Sequence, residues 1–196
     1  MRKKILITTG GSGGHVLPAL TIYDHLKNEH DLLISSDQRG LKYFETEKYK
    51  PFIIDTPKPN ISIFFPFVIF KVFLLVIKSL SILKKEKISF LVSTGGYMSL
   101  PLCIAAKILG IKICLIEPNM VLGRANRFFL KFSKIIIGHS KIINGFPKNF
   151  ENKLRILKPL VRKKYYDELI NIQDTKLFTI TIIGGSQGAK IFDNLL

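Results

Sequence analysis

Cysteine is scarce in this chain. Of 196 residues only Cys103 and Cys114 are thiols. Both sit inside apolar runs at a separation that fits no zinc-ligand pattern. They read as reduced core residues of an intracellular protein, which excludes a disulfide framework. Acidic residues are also few, 14 against 30 Lys and Arg, for a net charge of +16. There is no Asp-x-Asp to hold a divalent metal, no Gly-x-Ser-x-Gly elbow, and no cluster of Cys or His. No secretory signal is evident, because Met1-Arg2-Lys3-Lys4 runs straight into a strand pattern. RNA-recognition signatures, zinc fingers and basic helices are missing too, which makes nucleic acid the weaker partner for so basic a chain. The charge fits either an anionic membrane surface or other polyanion, or a lysine-rich composition spread over solvent faces. Clusters such as Lys84-Lys85-Glu86-Lys87 favour the former.

Apolar content is 47%, ample for a core and enough to exclude global disorder. The length allows one domain comfortably and two only if both are small. Short apolar runs predict strands at Lys4–Thr9, Asp31–Ser35, Pro51–Asp55, Ser89–Ser93, Lys112–Ile116, Lys134–Ile137, Leu154–Leu157 and Phe178–Ile183. Helical patterns separate them, at His15–Asn28, Leu41–Lys48, Pro66–Lys85, Pro101–Leu109, Arg124–Phe132, Lys141–Asn144, Lys163–Asn171 and Gly188–Leu196. Strands that are apolar on both faces and alternate with helices indicate an α/β domain with a parallel sheet.

Glycine is concentrated where strands meet helices. Gly10-Gly11-Ser12-Gly13-Gly14-His15 follows the first strand. The plan recurs at Gly95-Gly96-Tyr97 and at Gly184-Gly185-Ser186-Gln187-Gly188. A strand, a glycine loop and a helix start leave backbone N–H groups free for an anion such as phosphate. A tight turn with no ligand has the same composition. The first loop lacks the third glycine of a dinucleotide fingerprint, since Val16 stands there, and no Lys-Ser or Lys-Thr follows as in a Walker loop. Asp37, after the second strand, keeps a ribose-binding acid and a nicotinamide reading open.

Ile61–Leu83 is apolar over nearly the ~20 residues that a membrane span needs, but Pro66, Lys71 and Lys78 interrupt it. Each central lysine would cost ~3 kcal/mol in a bilayer. The segment reads as a crossover helix with an apolar, lysine-flanked face toward a membrane surface, or as a fully buried helix.

Four motifs together carry a resemblance. They are Thr9-Gly10-Gly11-Ser12-Gly13-Gly14-His15-Val16 with Pro18-Ala19, Gly95-Gly96-Tyr97-Met98-Ser99-Leu100-Pro101, Glu117-Pro118-Asn119 with Gly123-Arg124-Ala125-Asn126-Arg127, and Gly184-Gly185-Ser186-Gln187-Gly188-Ala189. In this order the chain resembles the N-terminal part of the MurG family of peptidoglycan N-acetylglucosaminyltransferases, in glycosyltransferase family 28. The resemblance implies a GT-B architecture of two Rossmann-like domains facing a cleft. Residues 1–162 would form the N-terminal acceptor- and membrane-binding domain, 163–175 a linker, and 176–196 the first β-loop-α unit of a truncated donor-binding domain.

The same resemblance implies an inverting, metal-free transfer of GlcNAc from UDP-GlcNAc to undecaprenyl-diphospho-MurNAc-pentapeptide (lipid I to lipid II). The enzyme would lie peripherally on the cytoplasmic face of the cell membrane, with no dissociable cofactor. His15 would be the catalytic base. Ser12, Gly13, Gly14, Asn119, Arg162, Ser186 and Gln187 would bind donor or phosphate, and Gly95, Gly96 and Tyr97 the acceptor. Two departures stand out: Pro118 replaces a glutamine, and Lys158-Pro159-Leu160-Val161-Arg162 keeps only the last two residues of the family's Gly-Asn-Pro-Val-Arg. His25, His30 and His139 have no motif support. This chain alone is expected to have little or no transferase activity. The alternatives are an acceptor- and membrane-binding subunit that docks a separate donor domain, and a related lipid glycosyltransferase.

Overall fold

In a computed structural model of the protein, residues 2–57, 65–159 and 161–162 are described. The expected linker 163–175, the unit 176–196 with Ser186 and Gln187, and Leu160 lie outside the described residues. The first strand, β1 (Lys4–Thr8), leads through a glycine loop into helix α1 (Gly13–Leu26). Then come β2 (Asp31–Ser36), α2 (Thr46–Tyr49), β3 (Phe52–Ile53), α3 (Phe65–Lys85), β4 (Phe90–Ser93), α4 (Leu100–Ile108), β5 (Lys112–Glu117), α5 (Arg124–Phe129), β6 (Ile135–Gly138) and β7 (Leu154–Ile156).

The strands form one sheet in the order β3-β2-β1-β4-β5-β6-β7, every pairing parallel. Alternation along each strand explains why it needs cover on both sides. Ile5, Ile7, Ile34, Val92, Cys114 and Ile116 face α1, packing with Val16, Ala19 and Leu20. Leu6, Leu91, Ile113, Leu115 and Ile136 face the other way, onto Leu83 of α3, Leu102 and Ala106 of α4, and Phe129 of α5.

Three helical expectations change. Instead of one helix over Leu41–Lys48, a 3₁₀ turn (Gln38–Tyr43) precedes the short α2. Asp37 caps that turn by accepting from Gly40 N, and Phe44 then goes extended and ends it. Lys141–Asn144 is not helical. Asn144 donates its N–H to Met120 O at 2.7 Å and accepts that of Leu122 at 3.0 Å, so its backbone is bound to a neighbouring loop. The Arg124–Phe132 pattern splits into α5 and a 3₁₀ turn, Leu130–Phe132.

Helix α3 is not the fully buried helix that its composition allowed. It packs against α4, burying Val76, Ser79 and Leu83, three or four residues apart along one face. The remaining faces expose Phe67, Ile69, Phe70, Phe73, Leu74 and Ile77, with Phe67 73% exposed. By length and composition Pro66–Lys85 is long and apolar enough to cross a membrane. Because β3 ends at the carboxyl edge of the sheet and β4 begins at the amino edge, α3 descends between them. Its phenylalanine-rich first half is therefore nearer the glycine loops.

Both cysteines are free and buried, as expected of core thiols. Burial pushes the Cys103 and Cys114 thiols up to about 12. The thiolate is the reactive form, so at pH 8 both should alkylate roughly 100-fold or more slowly than in the denatured chain. Mass-spectrometric timing of iodoacetamide labelling checks this. Comparable rates in the two states would contradict the burial.

Candidate functional site

The chain runs from β1 outward to β2 and β3, then crosses back to place β4 on the other side of β1. In an open parallel sheet, the crevice at such a reversal, outside the carboxyl ends of the strands, is where ligands bind. The first two glycine loops emerge there from adjacent strands. They are tied together by Thr94 Oγ1 donating to Thr9 Oγ1 at 2.9 Å, and Thr94 N to Thr8 O at 3.2 Å.

His15 stands in the first turn of α1 and reaches across to the second loop. Its Nδ1 is 2.7 Å from Thr94 O. A carbonyl only accepts, so Nδ1 carries the proton, and in the neutral ring the lone pair is on Nε2. Ser12 is the N-cap of α1, yet its side chain makes no capping bond. Among the described residues the N–H groups of Gly13 and Gly14 have no partner either. The first turn thus presents unsatisfied donors, the condition for holding an anion.

Glycine is required at two positions in these loops. Gly10 has φ +150°, and a Cβ there would fall 2.6 Å from Asp37 Oδ1. Gly96 has φ +81°, and a Cβ would overlap the Met98 sulfur. Met98 is buried beneath both loops, filling the space that the missing side chains leave.

Asp37 is fully buried, and its carboxylate is committed to the protein. Oδ1 accepts from Gly11 N at 2.7 Å and Gly40 N at 3.0 Å, and Oδ2 accepts from Arg39 Nε at 2.8 Å. No oxygen is left for a ribose, which overturns the nicotinamide reading. Asp37 braces the first glycine loop instead. The Arg39 guanidinium that it holds lies 4.9 Å from the centre of the Tyr97 ring. Burial raises the Tyr97 phenol above its ordinary value against the opposing pull of Arg39, so it remains neutral. Gly11, Ser12, His15, Arg39, Lys42 and Tyr97 are among the residues that surround a cleft of about 640 Å³.

The third motif organises a separate loop, two strands over from β1. Glu117 ends β5 and is 1% exposed. Its Oε2 accepts from Gly123 N (2.8 Å) and Asn126 Nδ2 (3.0 Å). Its Oε1 accepts from Asn119 N (3.2 Å) and Asn119 Nδ2 (3.3 Å). Asn119 keeps its amide in place through Glu117 although Pro118 precedes it. Asn126 lies under Gly95, whose Cβ would come within 3.1 Å of its amide.

The structure therefore brings Ser12, His15, Gly96 and Tyr97 together around one cleft, with Gly13 and Gly14 in the helix turn beside it. Gly95 sits behind Gly96 against Asn126. Asn119 and Arg162 do not line that cleft. Reading by motif misses Thr94 and Arg39 as parts of the site, gives Asp37 a ribose in place of its bracing role, includes Met98 in the second motif without its packing role, and misses Glu117 and Asn126 as the brace of the neighbouring loop. A sequence signal existed for the two acids, because each is a lone carboxylate at or just past the end of an apolar strand, where a glycine loop needs an acceptor.

Similarity to known proteins follows the same region. Residues 5–137 match the model of the glycosyltransferase family 28 N-terminal domain. Over its whole length the chain is 48% identical to the UDP-N-acetylglucosamine–N-acetylmuramyl-(pentapeptide) pyrophosphoryl-undecaprenol N-acetylglucosamine transferase of Pelagibacter ubique, and covers 55% of that protein. It is 35% identical to the transferase of the same name from Rickettsia canadensis, covering 99% of this chain and 55% of that one. The crystal structure of Acinetobacter baumannii MurG superposes with a TM-score of 0.75 at 25% identity, over 98% of this chain and 55% of that one. A UDP-N-acetylglucosamine 2-epimerase shares the fold, with a TM-score of 0.60 at 12% identity, over 80% of this chain and 48% of that one. The chain thus spans about half the length of the curated relatives it matches. With its parallel sheet, paired glycine loops and the matched span 5–137, the chain belongs to glycosyltransferase family 28, of which it carries the N-terminal domain.

Proposed function

We propose that this chain is the acceptor-side part of an inverting transferase that moves GlcNAc from UDP-GlcNAc to lipid I. The observation that carries the reading is the His15–Thr94 hydrogen bond, which in the neutral ring puts the Nε2 lone pair at a cleft walled by two glycine loops. Such a nitrogen is a general base for a sugar hydroxyl. The unpartnered N–H groups of Gly13 and Gly14, with Arg39 and Lys42, supply positive potential for a diphosphate. The hydroxyl loses its proton to Nε2 as its oxygen attacks the anomeric carbon, and UDP departs with the bonding pair. The first- and second-loop residues act here, and Asn119, Arg162, Ser186 and Gln187 are assigned to the donor. The names of the relatives support this assignment of substrates.

A direct test joins residues 1–162 to the remaining part of the Pelagibacter ubique relative and measures GlcNAc transfer from UDP-GlcNAc to lipid I. Transfer supports the reading. A folded chimera that binds neither substrate would overturn it. The 196-residue chain by itself is expected to give little or no turnover, and detectable UDP release by it in the presence of lipid I would overturn that expectation.

The exposed face of α3 is assigned to an anionic membrane surface, at which the enzyme is a peripheral protein of the cytoplasmic face. Phe67, Phe70, Phe73 and Leu74 form an apolar patch beside Lys71, on a chain of net charge +16. Changing Phe70, Phe73 and Leu74 together to serine should weaken sedimentation with anionic vesicles by about tenfold or more, with no loss of sheet signal in circular dichroism. Unchanged vesicle binding would sink the membrane assignment.

A further inference from the structure

At the opposite edge of the sheet, where the strands begin, lies a second concavity of about 900 Å³. Its cations come from successive strands. Lys3 precedes β1, Lys112 opens β5, Lys134 precedes β6, and Lys153 and Arg155 flank and enter β7. The strand between β1 and β5 begins instead with uncharged Phe90, preceded by Ser89, and both line the hollow with Ile135. Five cations therefore converge on one volume, and among the described residues no aspartate or glutamate lines it.

Two of the five have structural work. Lys153 Nζ donates to the carbonyls of Leu130, Lys131 and Ser133 at 2.8–3.1 Å, and Arg155 Nη1 donates to Asn152 O and Leu154 O. These bonds fix the heads without neutralising them. Among the described residues the side-chain ammonium groups of Lys3, Lys112 and Lys134 have neither a hydrogen-bond partner nor an ion pair, and the nearby Glu86 is taken by Lys4 at 2.7 Å. Unopposed charges that face one hollow repel one another, and a polyvalent anion relieves the repulsion. The volume is that of a compact ligand site rather than of an extended surface.

We propose that this hollow binds a compact, multiply charged phosphate-bearing anion, separate from the transferase cleft at the other end of the same strands. Phosphate oxygens suit it better than an acidic polypeptide segment, because one phosphate-bearing group presents several charged acceptors at the single place where the ends of four strands bring these cations together. The ligand is either a soluble polyphosphate compound or the headgroup of an anionic lipid. The inference does not depend on the transferase reading.

The test uses the 196-residue chain with inorganic tripolyphosphate, followed by calorimetry and amide chemical shifts at low and physiological salt. Saturable binding is expected, with shifts at Gly110, Lys112 and Ile135, weakened about tenfold or more in Lys112→Gln/Lys134→Gln. Thermal melts confirm that the variants fold, since neither lysine head has a partner to lose. Vesicles of phosphatidylcholine with and without phosphatidylglycerol separate the two sources. Loss of vesicle binding in the double variant assigns a lipid headgroup, and unchanged vesicle binding assigns a soluble ligand. Absence of saturable tripolyphosphate binding, shifts confined to Gly11 and Gly96, or saturable binding of polyglutamate alone would each overturn the proposal.

Discussion

Replacing His15 with alanine is expected to lower kcat for GlcNAc transfer by about 10²- to 10⁴-fold, with a much smaller change in KM. The expectation rests on geometry. Thr94 O fixes Nδ1 as the protonated nitrogen at 2.7 Å, so the ring cannot exchange tautomers without losing that bond. In the neutral ring Nε2 is then the nitrogen that can take the acceptor's proton. His15→Gln is the informative companion. It retains a polar group of similar reach but has no basic nitrogen, so it should fall with alanine. Both variants are to be measured in the chimera described above, under saturating UDP-GlcNAc and with lipid I varied. Retention of activity within tenfold by either variant removes His15 from proton transfer. The ring would then be a tether between the two loops.

The second large effect is on stability. Asp37→Ala is expected to cost about 3 kcal/mol, read as a lowered urea midpoint with an unchanged slope. The carboxylate is wholly buried and satisfies the N–H groups of Gly11 and Gly40 together with the Arg39 guanidinium. Alanine leaves Gly11 N without its acceptor, leaves Gly40 N only the carbonyl of residue 37, releases the Arg39 guanidinium, and opens a void beside Gly10, whose close approach to Asp37 Oδ1 is what excludes a side chain there. Asp37→Asn separates charge from shape. It keeps one oxygen for the two backbone donors but loses the charge opposite Arg39, so a smaller loss is expected. A cost under about 1 kcal/mol for alanine would mean that the first glycine loop holds its form without this brace. Because Arg39 is positioned by Asp37 and packs on Tyr97, loss of Asp37 should also weaken acceptor binding in proportion to the freedom that Arg39 gains.

Much of this was legible in the residues alone. Strands apolar on both faces and alternating with helical patterns leave a parallel sheet as the arrangement that buries both strand faces, and the expected strands of residues 4–157 fall within two residues of those observed. The glycine loops and His15 at a helix start point to a phosphate-type cleft from the residues alone, because backbone freedom and unpaired N–H groups are local properties. The identity of the two cysteines as core thiols also followed from their apolar neighbours.

What only tertiary structure decided depends on partners distant in sequence. Asp37 looked like a possible ribose ligand until Gly11 and Gly40 were seen to consume its oxygens. Local sequence cannot say which donor, 26 residues away, an acid will meet. The tautomer of His15 is set by the carbonyl of Thr94, 79 residues on, brought close only because β4 pairs with β1. Lys141–Asn144 had a helical pattern, but its backbone is claimed by residues 120–122 across a loop. Helix α3 has the composition of a buried element, and its exposure follows from which face α4 covers. The basic hollow was invisible as well, since Lys3, Lys112, Lys134 and Arg155 are scattered in sequence and become neighbours only through the order of the strands. Period and composition determined which segments are strands, helices and phosphate-type loops. Strand order, by choosing which strand ends adjoin, determined which side chains share a site.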